Sequence, residues 1–210
     1  MESDLKNIEK LLNFFAIAGK LKQAIRFSAA KKIKGDSSAD HSWRLALMVF
    51  TVAEELKLKI NIEKAMKIAL IHDIAEGLTG EIDYRLIFFG KISKEEKNVR
   101  EAKAIQKIRK SLPPKLGKEI YDLWQDYENS RSREAKFVKA LDKIETTIHL
   151  IEAGHKKYDF PELIALYPDK AVSDFPELKG FLKAVKERLK KEFRKGKFPW
   201  KKEYNRFVAN

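Results

Sequence analysis

Four side chains capable of chemistry lie where helical segments should be apolar. His41 opens HSWRLALMVF, His72 and Asp73 close ALIHD, and Asp142 interrupts FVKALDKI. An ionisable group on a buried face is costly unless it is paired or bound to a metal. Three segments that each turn such groups inward imply that the groups meet. Two imidazoles and two carboxylates make a ligand set suited to Mn, Fe, Co, Ni, Zn or Mg, with positions left open for water or a phosphate oxygen. Buried His–Asp hydrogen bonds satisfy the same pattern, and spacing alone does not separate the two readings. Glu76 follows Asp73 by three residues and shares its face if the helix continues; Glu81 follows five residues later.

The elements that must position these groups read at helical period almost throughout, with no convincing alternation at period two. LKNIEKLLNFFAIAGKL carries Leu5, Ile8, Leu11, Leu12 and Phe15 on one stripe and ends near Gly19, an expected C-cap. GDSSAD offers capping side chains to the next helix, in which His41 shares a stripe with Leu45, Met48 and Val52. NIEKAMKIALIHDIAEG follows, capped by Asn61. SKEEKNVREAKAIQKIRKSL opens on a capping box at Ser93 and Glu96 and is stopped by Pro113-Pro114. KLGKEIYDLWQDYEN and SREAKFVKALDKIETTIHLIEAG come next, the latter running from a serine cap to Gly154. A Pro-punctuated stretch leads to the basic helix FLKAVKERLKKEFRKG. The expected fold is an all-α bundle of six or more helices over residues 1–175, with a basic helix and tail at 176–210 packed on it or extending from it.

A chain of 210 residues with 44% hydrophobic residues can bury one core and is not disordered. It has no cysteine, so disulfides and thiolate metal sites are excluded, and any metal must be held by His, Asp or Glu. No apolar run reaches the length of a membrane span, which makes a soluble cytoplasmic protein the expectation. The net charge is +13, of which +9 falls between Lys179 and Lys202. That tail could touch nucleic acid or an anionic surface, but it carries no recognisable nucleic-acid motif, and a solvated helix face is the favoured reading. Gly-rich phosphate loops and nucleophile elbows are also missing, so chemistry must come from metal and carboxylate.

The order H…HD…D on successive helices, together with ADHSWRLALM, LIHDIAEGLTGEI and LWQDYENSRSREAKFVKALDKIE, resembles the HD superfamily of metal-dependent phosphohydrolases. The resemblance runs from about Arg26 to Gly154. It points to the branch containing bacterial 5′-deoxynucleotidases and the eukaryotic HD-domain-containing protein 2. It implies an HD-domain helical bundle in which His41, His72, Asp73 and Asp142 hold one divalent metal. Glu76 takes the position of the general acid/base. Glu81 matches an acid that contacts the nucleoside, although the family usually has Gly-Asp-Ile where this chain has Gly80-Glu81-Ile82. Arg26 matches a phosphate-clamping arginine. Phe27 stands where the bacterial enzyme has tryptophan, so the ring is kept and the indole donor lost. Asp40 replaces a usual glutamate and is read either as a support for the ligands or as helix N-terminal charge.

The implied activity is hydrolysis of (deoxy)nucleoside 5′-monophosphates to nucleoside and phosphate, by a small-molecule enzyme that is a homodimer by analogy. The alternatives are an HD phosphohydrolase acting on another phosphate ester, a cyclic nucleotide or a pyrophosphate, and a nucleotide-binding protein without activity. The remaining candidates are assigned to structure. His149 is two turns beyond Asp142, about 10 Å, too far to share its metal, and is expected to be packed or hydrogen-bonded. His155 reads as surface, Trp43 and Trp124 as core. Lys139 and Lys143 are expected to pair with Glu145 or neighbouring acids.

Overall fold

The computed structural model describes residues 2–28 and 35–206, and the regular structure among them is helical. In chain order the helices are α1 (Glu2–Gly19), α2 (Ser38–Glu55), α3 (Ile62–Ile71), α4 (Glu76–Thr79), α5 (Tyr84–Phe88), α6 (Lys94–Ser111), α7 (Pro114–Asn129), α8 (Arg133–Ala153), α9 (Pro161–Leu166), α10 (Asp169–Ser173) and α11 (Lys179–Lys195). Extended pairing among the described residues is confined to an isolated antiparallel bridge between Ile25 and Ser37.

Local chemistry sets the helix ends. Ser37 and Asp40 form a reciprocal capping box on α2, and Ser93 and Glu96 form another on α6. Asp40 is thereby assigned: its carboxylate accepts from the Ser37 backbone N–H at 3.0 Å and from the Ser37 hydroxyl at 2.7 Å, so it serves the helix start. Asn61 caps α3 and Ser132 caps α8. Pro114 begins α7, where its missing N–H costs nothing, and Gly154 ends α8 at φ 80°.

Helix α8 is the axis of the molecule. Phe137, Val138, Leu141 and Ile144 are buried against Leu45 and Val49 of α2, Ala65 and Ile68 of α3, and Leu182 and Val185 of α11. A second apolar layer joins Leu21, Ile74, Ile105, Ile108 and Trp124 beneath α1, α6 and α7. A third gathers Leu150, Tyr158, Ile164, Phe193 and Tyr204 at the C-terminal end. The basic helix α11 is therefore docked, with its basic residues Lys183, Arg188, Lys191 and Arg194 exposed on the other side. One lysine goes inward: Lys186 is buried, 2.5 Å from Asp169, and also donates to the Tyr204 carbonyl. The tail's last residues, 207–210, lie outside the described residues.

Three expectations need correction. Gly19 is right-handed (φ −59°), and the chain runs through it into a 3₁₀ turn at Lys20–Lys22. The predicted α1 stripe is largely exposed: Leu5, Ile8, Leu12 and Phe15 face solvent, and the helix packs inward with Leu11, Phe14, Ile17 and Ala18. Periodicity marked an apolar face correctly but did not say whether its cover comes from the same chain. Trp43, expected in the core, is 66% exposed, whereas Trp124 is buried. Trp43, Leu47 and Phe50 form an outward stripe on α2, at i, i+4 and i+7.

Candidate metal centre and nucleotide pocket

The α3 ladder is α-helical up to the His72 N–H, which bonds the Ile68 carbonyl. Beyond it the bonds tighten to i→i−3, from Ile74 to Ile71, Glu76 to Asp73 and Gly77 to Ile74. The helix therefore does not simply continue from Asp73 to Glu76. In a three-residue turn positions i and i+3 eclipse, so Asp73 and Glu76 still reach the same cavity. Gly77 permits the close docking of this turn on α1, because a Cβ there would lie 2.6 Å from the Ile17 carbonyl oxygen.

His41, His72 and Asp73 come together with one ligand atom each, all within 4.8 Å of one another. Asp142 joins them through Oδ1, 3.1 Å from His41 Nε2. Its other oxygen is held from behind, accepting from the Tyr127 hydroxyl at 2.6 Å and from Lys143 at 2.8 Å. His72 donates Nδ1–H to the Ala69 carbonyl at 2.8 Å, which leaves Nε2 as the ring nitrogen directed at the cluster. That Nε2 is buried, 3.1 Å from Asp73 Oδ2, and without a directed hydrogen-bond partner. A buried imidazole nitrogen that faces carboxylates without a directed hydrogen bond is a poor hydrogen-bonding arrangement and a good metal-binding one. The residues fit a divalent cation.

The electrostatics agree. Burial and the Arg26 guanidinium press His41 downward, but hydrogen bonds to Asp142 and Glu145 outweigh them and push it up to about 9. Burial opposes ionisation of Asp142, yet Lys143 and the two histidines hold it well below the usual carboxylate range. Asp73 is lowered too, its burial overcome by His72 and His41. Glu76 goes the other way. Burial, the Asp73 charge and a hydrogen bond with Glu81 raise it well above an ordinary glutamate. The Glu76 carboxylate oxygen Oε2 also accepts from the Ser38 hydroxyl at 2.6 Å. Glu76 thus faces Glu81 through a hydrogen bond that favours a proton on Glu76.

Arg26 is positioned by an antiparallel zip: its N–H bonds the Asp36 carbonyl at 2.9 Å, and the Ser38 N–H bonds that of Ala24 at 2.8 Å. Glycine is required opposite, since a Cβ on Gly35 would fall 1.9 Å from the Arg26 carbonyl oxygen. The buried guanidinium donates to Asp36 at 3.1 Å, Glu145 at 3.2 Å and Thr146 at 2.7 Å. Phe27, at φ 58°, stacks face to face on His149 with centroids 5.3 Å apart. His149 is the packed histidine expected, and burial lowers its pKa. His155 is partly covered by Glu192, 3.3 Å from Nδ1.

Two adjoining cavities result. One holds the four candidate ligands with Glu76, Lys97, Glu101 and Tyr127. The other is mainly apolar, walled by Phe27, Leu150, Phe160, Leu163 and Ile164. Arg26, Glu81, Tyr84 and Tyr167 line both. All the site residues read from the sequence, His41, His72, Asp73, Asp142, Glu76, Glu81, Arg26 and Phe27, therefore border one composite space. Sequence reasoning missed Glu145, Tyr127 and Ser38. The lysines meet expectation in part: Lys143 pairs with a neighbouring acid, Asp142, whereas Lys139 donates to the Tyr127 and Glu128 carbonyls at 3.0 Å. Glu145 was legible as an acid one turn after Asp142 on the same apolar stripe, but its partners are His41, Arg26 and Arg44.

Among known proteins, the chain is 36% identical over 174 residues to the 5′-deoxynucleotidase HDDC2 of Homo sapiens, covering 74% of this chain and 82% of that protein. It is 34% identical over 183 residues to the 5′-deoxynucleotidase HDDC2 of Danio rerio, covering 86% and 88%. The crystal structure of a predicted metal-dependent phosphohydrolase from Magnetospirillum magnetotacticum has the same fold, with a TM-score of 0.74 at 24% identity, covering 93% of this chain and all of the other. The sequence profile of the HD domain matches residues 18–167, and the chain belongs to the HD-domain family.

Proposed function

We propose that this protein is a metal-dependent phosphomonoesterase that hydrolyses nucleoside 5′-monophosphates, deoxynucleotides above all. The observation that carries this reading is the junction of the two cavities. A charged chamber with candidate ligands opens, through Arg26 and Glu81, onto an apolar chamber of aromatic and aliphatic side chains. A 5′-nucleotide has the matching polarity, with a dianionic phosphate at one end and an apolar base face at the other. The relatives named 5′-deoxynucleotidase support the same substrate class.

A divalent cation held by His41, His72, Asp73 and Asp142 would supply Lewis acidity toward the phosphate ester and activate the attacking water. Tyr127 and Lys143 hold Asp142 in place. Arg26, already anchored on one side by Asp36 and Glu145, orients phosphate oxygens. Glu76, beside the ligand cluster and held by the Ser38 hydroxyl, serves as general acid toward the departing 5′ oxygen, a role general acids fill with about 10²–10⁴-fold in rate. Glu81 accepts from the sugar 3′-hydroxyl, and Phe27, backed by His149, walls the sugar.

The protein acts as a homodimer in this reading. The uncovered apolar stripes of α1 (Leu5, Ile8, Leu12, Phe15) and α2 (Trp43, Leu47, Phe50) support a second copy as their cover. Among the described residues no helix is long and apolar enough to cross a membrane. Phosphate release from a panel of deoxy- and ribonucleoside 5′-monophosphates, 3′-monophosphates, cyclic nucleotides and pyrophosphate tests the assignment. The 5′-deoxynucleotides should lead. A cyclic nucleotide or pyrophosphate turned over faster than all of them would overturn it.

A further inference from the structure

Helix α8 presents two carboxylates one turn apart to the two nitrogens of a single imidazole. Asp142 Oδ1 is 3.1 Å from His41 Nε2, and Glu145 Oε2 is hydrogen-bonded to His41 Nδ1. Glu145 is fully buried, and its remaining acceptor sites are also filled. Oε2 takes a second hydrogen bond from Arg26 at 3.2 Å, and Oε1 accepts from Arg44 Nε at 2.7 Å and is ion-paired with its Nη2 at 2.5 Å. Arg44 in turn reaches outward to Glu152 at 2.7 Å. A buried carboxylate with one arginine would be a neutral pair. A buried carboxylate joined to two arginines and a ring nitrogen is a junction.

We infer that Glu145 is a positioning residue that fixes the tautomer of His41 for metal binding and, through the same oxygen, fixes the phosphate-facing guanidinium of Arg26. The inference rests on the metal and phosphate roles proposed above. Glu145 is an acceptor only, so His41 must donate Nδ1–H to it, and Nε2, the nitrogen beside Asp142, is the one left to bind a metal. A carboxylate behind a ligating histidine orients the ring and strengthens its basicity. The second half of the junction is mechanical. Arg26 Nη1 is shared between Asp36 and Glu145, while Nη2 is held by Thr146, one residue further along α8. The guanidinium plane is thereby set from the helix that also carries Asp142. Ligand and clamp are registered to each other by one side chain.

Two variants of the full chain separate the two halves. Glu145→Gln keeps an oxygen to accept from His41 but removes the charge that holds the arginines. Glu145→Leu removes both. Metal-free protein is titrated calorimetrically with Mn²⁺, with no substrate present, and the Mn²⁺-loaded protein is then assayed on dAMP. Loss of an outer partner of a metal ligand costs about 10–100-fold in affinity. Glu145→Leu should lose that much Mn²⁺ affinity. Glu145→Gln should stay within about threefold for Mn²⁺ while its KM for dAMP rises about tenfold. Unchanged Mn²⁺ affinity in both variants, or equal loss in both, would overturn the inference. If the leucine variant does not fold, the glutamine variant decides: Mn²⁺ retained with KM raised supports the junction, and any other pattern rejects it. A wild-type protein that binds no Mn²⁺ would overturn the metal assignment itself, and this inference with it.

Discussion

Tyr127→Phe removes one oxygen from the site and almost nothing else. The ring is buried and makes an edge contact with His72, centroids 5.0 Å apart, which phenylalanine preserves. What disappears is the hydroxyl donated to Asp142 Oδ2 at 2.6 Å. No buried donor is orphaned by the change, and Lys143 still donates to the same oxygen at 2.8 Å. A hydrogen bond to a charged group contributes about 1.5–3 kcal/mol. With Lys143 remaining, the lower end applies, about 1.5 kcal/mol, which is roughly tenfold in an equilibrium constant. The loss should appear in metal binding, because an Asp142 carboxylate tethered by Lys143 alone can rotate away from His41. Calorimetric titration of metal-free wild type and variant with Mn²⁺ measures it, and thermal unfolding of the metal-free forms shows whether the fold is affected. An unaltered Mn²⁺ affinity alongside a lowered melting temperature would refute the reasoning and make Tyr127 a clamp between α7 and α8 only.

Asp142→Ala strips a charged ligand and should abolish both stoichiometric Mn²⁺ binding and phosphate release from dAMP; retention of both rejects the ligand set. Glu76→Gln should lower turnover about 10²–10⁴-fold while Mn²⁺ binding persists, so a variant within a few-fold of wild type would make Glu76 a bystander. Phe27→Trp enlarges the ring that rests on His149 and should raise the ratio of kcat/KM for dAMP over AMP; an unchanged ratio removes Phe27 from the sugar wall. Lys186→Ala leaves buried Asp169 unpaired and should destabilise by about 3–5 kcal/mol, whereas Lys186→Met with Asp169→Leu should be neutral or stabilising in chemical denaturation.

The convergence of the candidate ligands could be read in the sequence for one physical reason, whereas the roles of Arg26, Phe27 and Glu81 came into view only through the resemblance to the HD superfamily. His41, His72 and Asp142 each break an apolar helical pattern, and a buried ionisable group needs a partner, so their convergence followed from the cost of leaving them apart. Glu145 and Tyr127 escaped notice because a glutamate near lysines, or a tyrosine on an amphipathic helix, looks the same whether it faces solvent or supports a ligand. Glu76 was placed on the correct side of Asp73 by assuming a continuing α-helix, while the chain reaches that result through a tighter turn. The helix boundaries at Ser93, Pro114, Asn61 and Ser132 were legible because capping is local chemistry. The outward faces of α1 and α2 were not, since amphipathicity records an apolar surface and not the identity of what covers it.

Helix α8 carries Asp142, Glu145, Thr146, His149 and Leu150 in sequence, and these face in turn the candidate ligand cluster, the Arg26 clamp, the Phe27 stack and the apolar chamber. Eight residues of helix span about 12 Å, comparable with the length of a nucleotide from phosphate to base. In the proposed binding mode, one rigid rod measures the substrate along its whole length. In that binding mode, point changes at His149 or Leu150 can retune which sugar or base is accepted without disturbing the reactive end, whereas Thr146 also holds Arg26. A single residue inserted between Asp142 and Leu150 cannot be absorbed that way, because it rotates everything beyond it by about 100°. Within this segment, new specificities are reachable by substitution and closed to insertion and deletion.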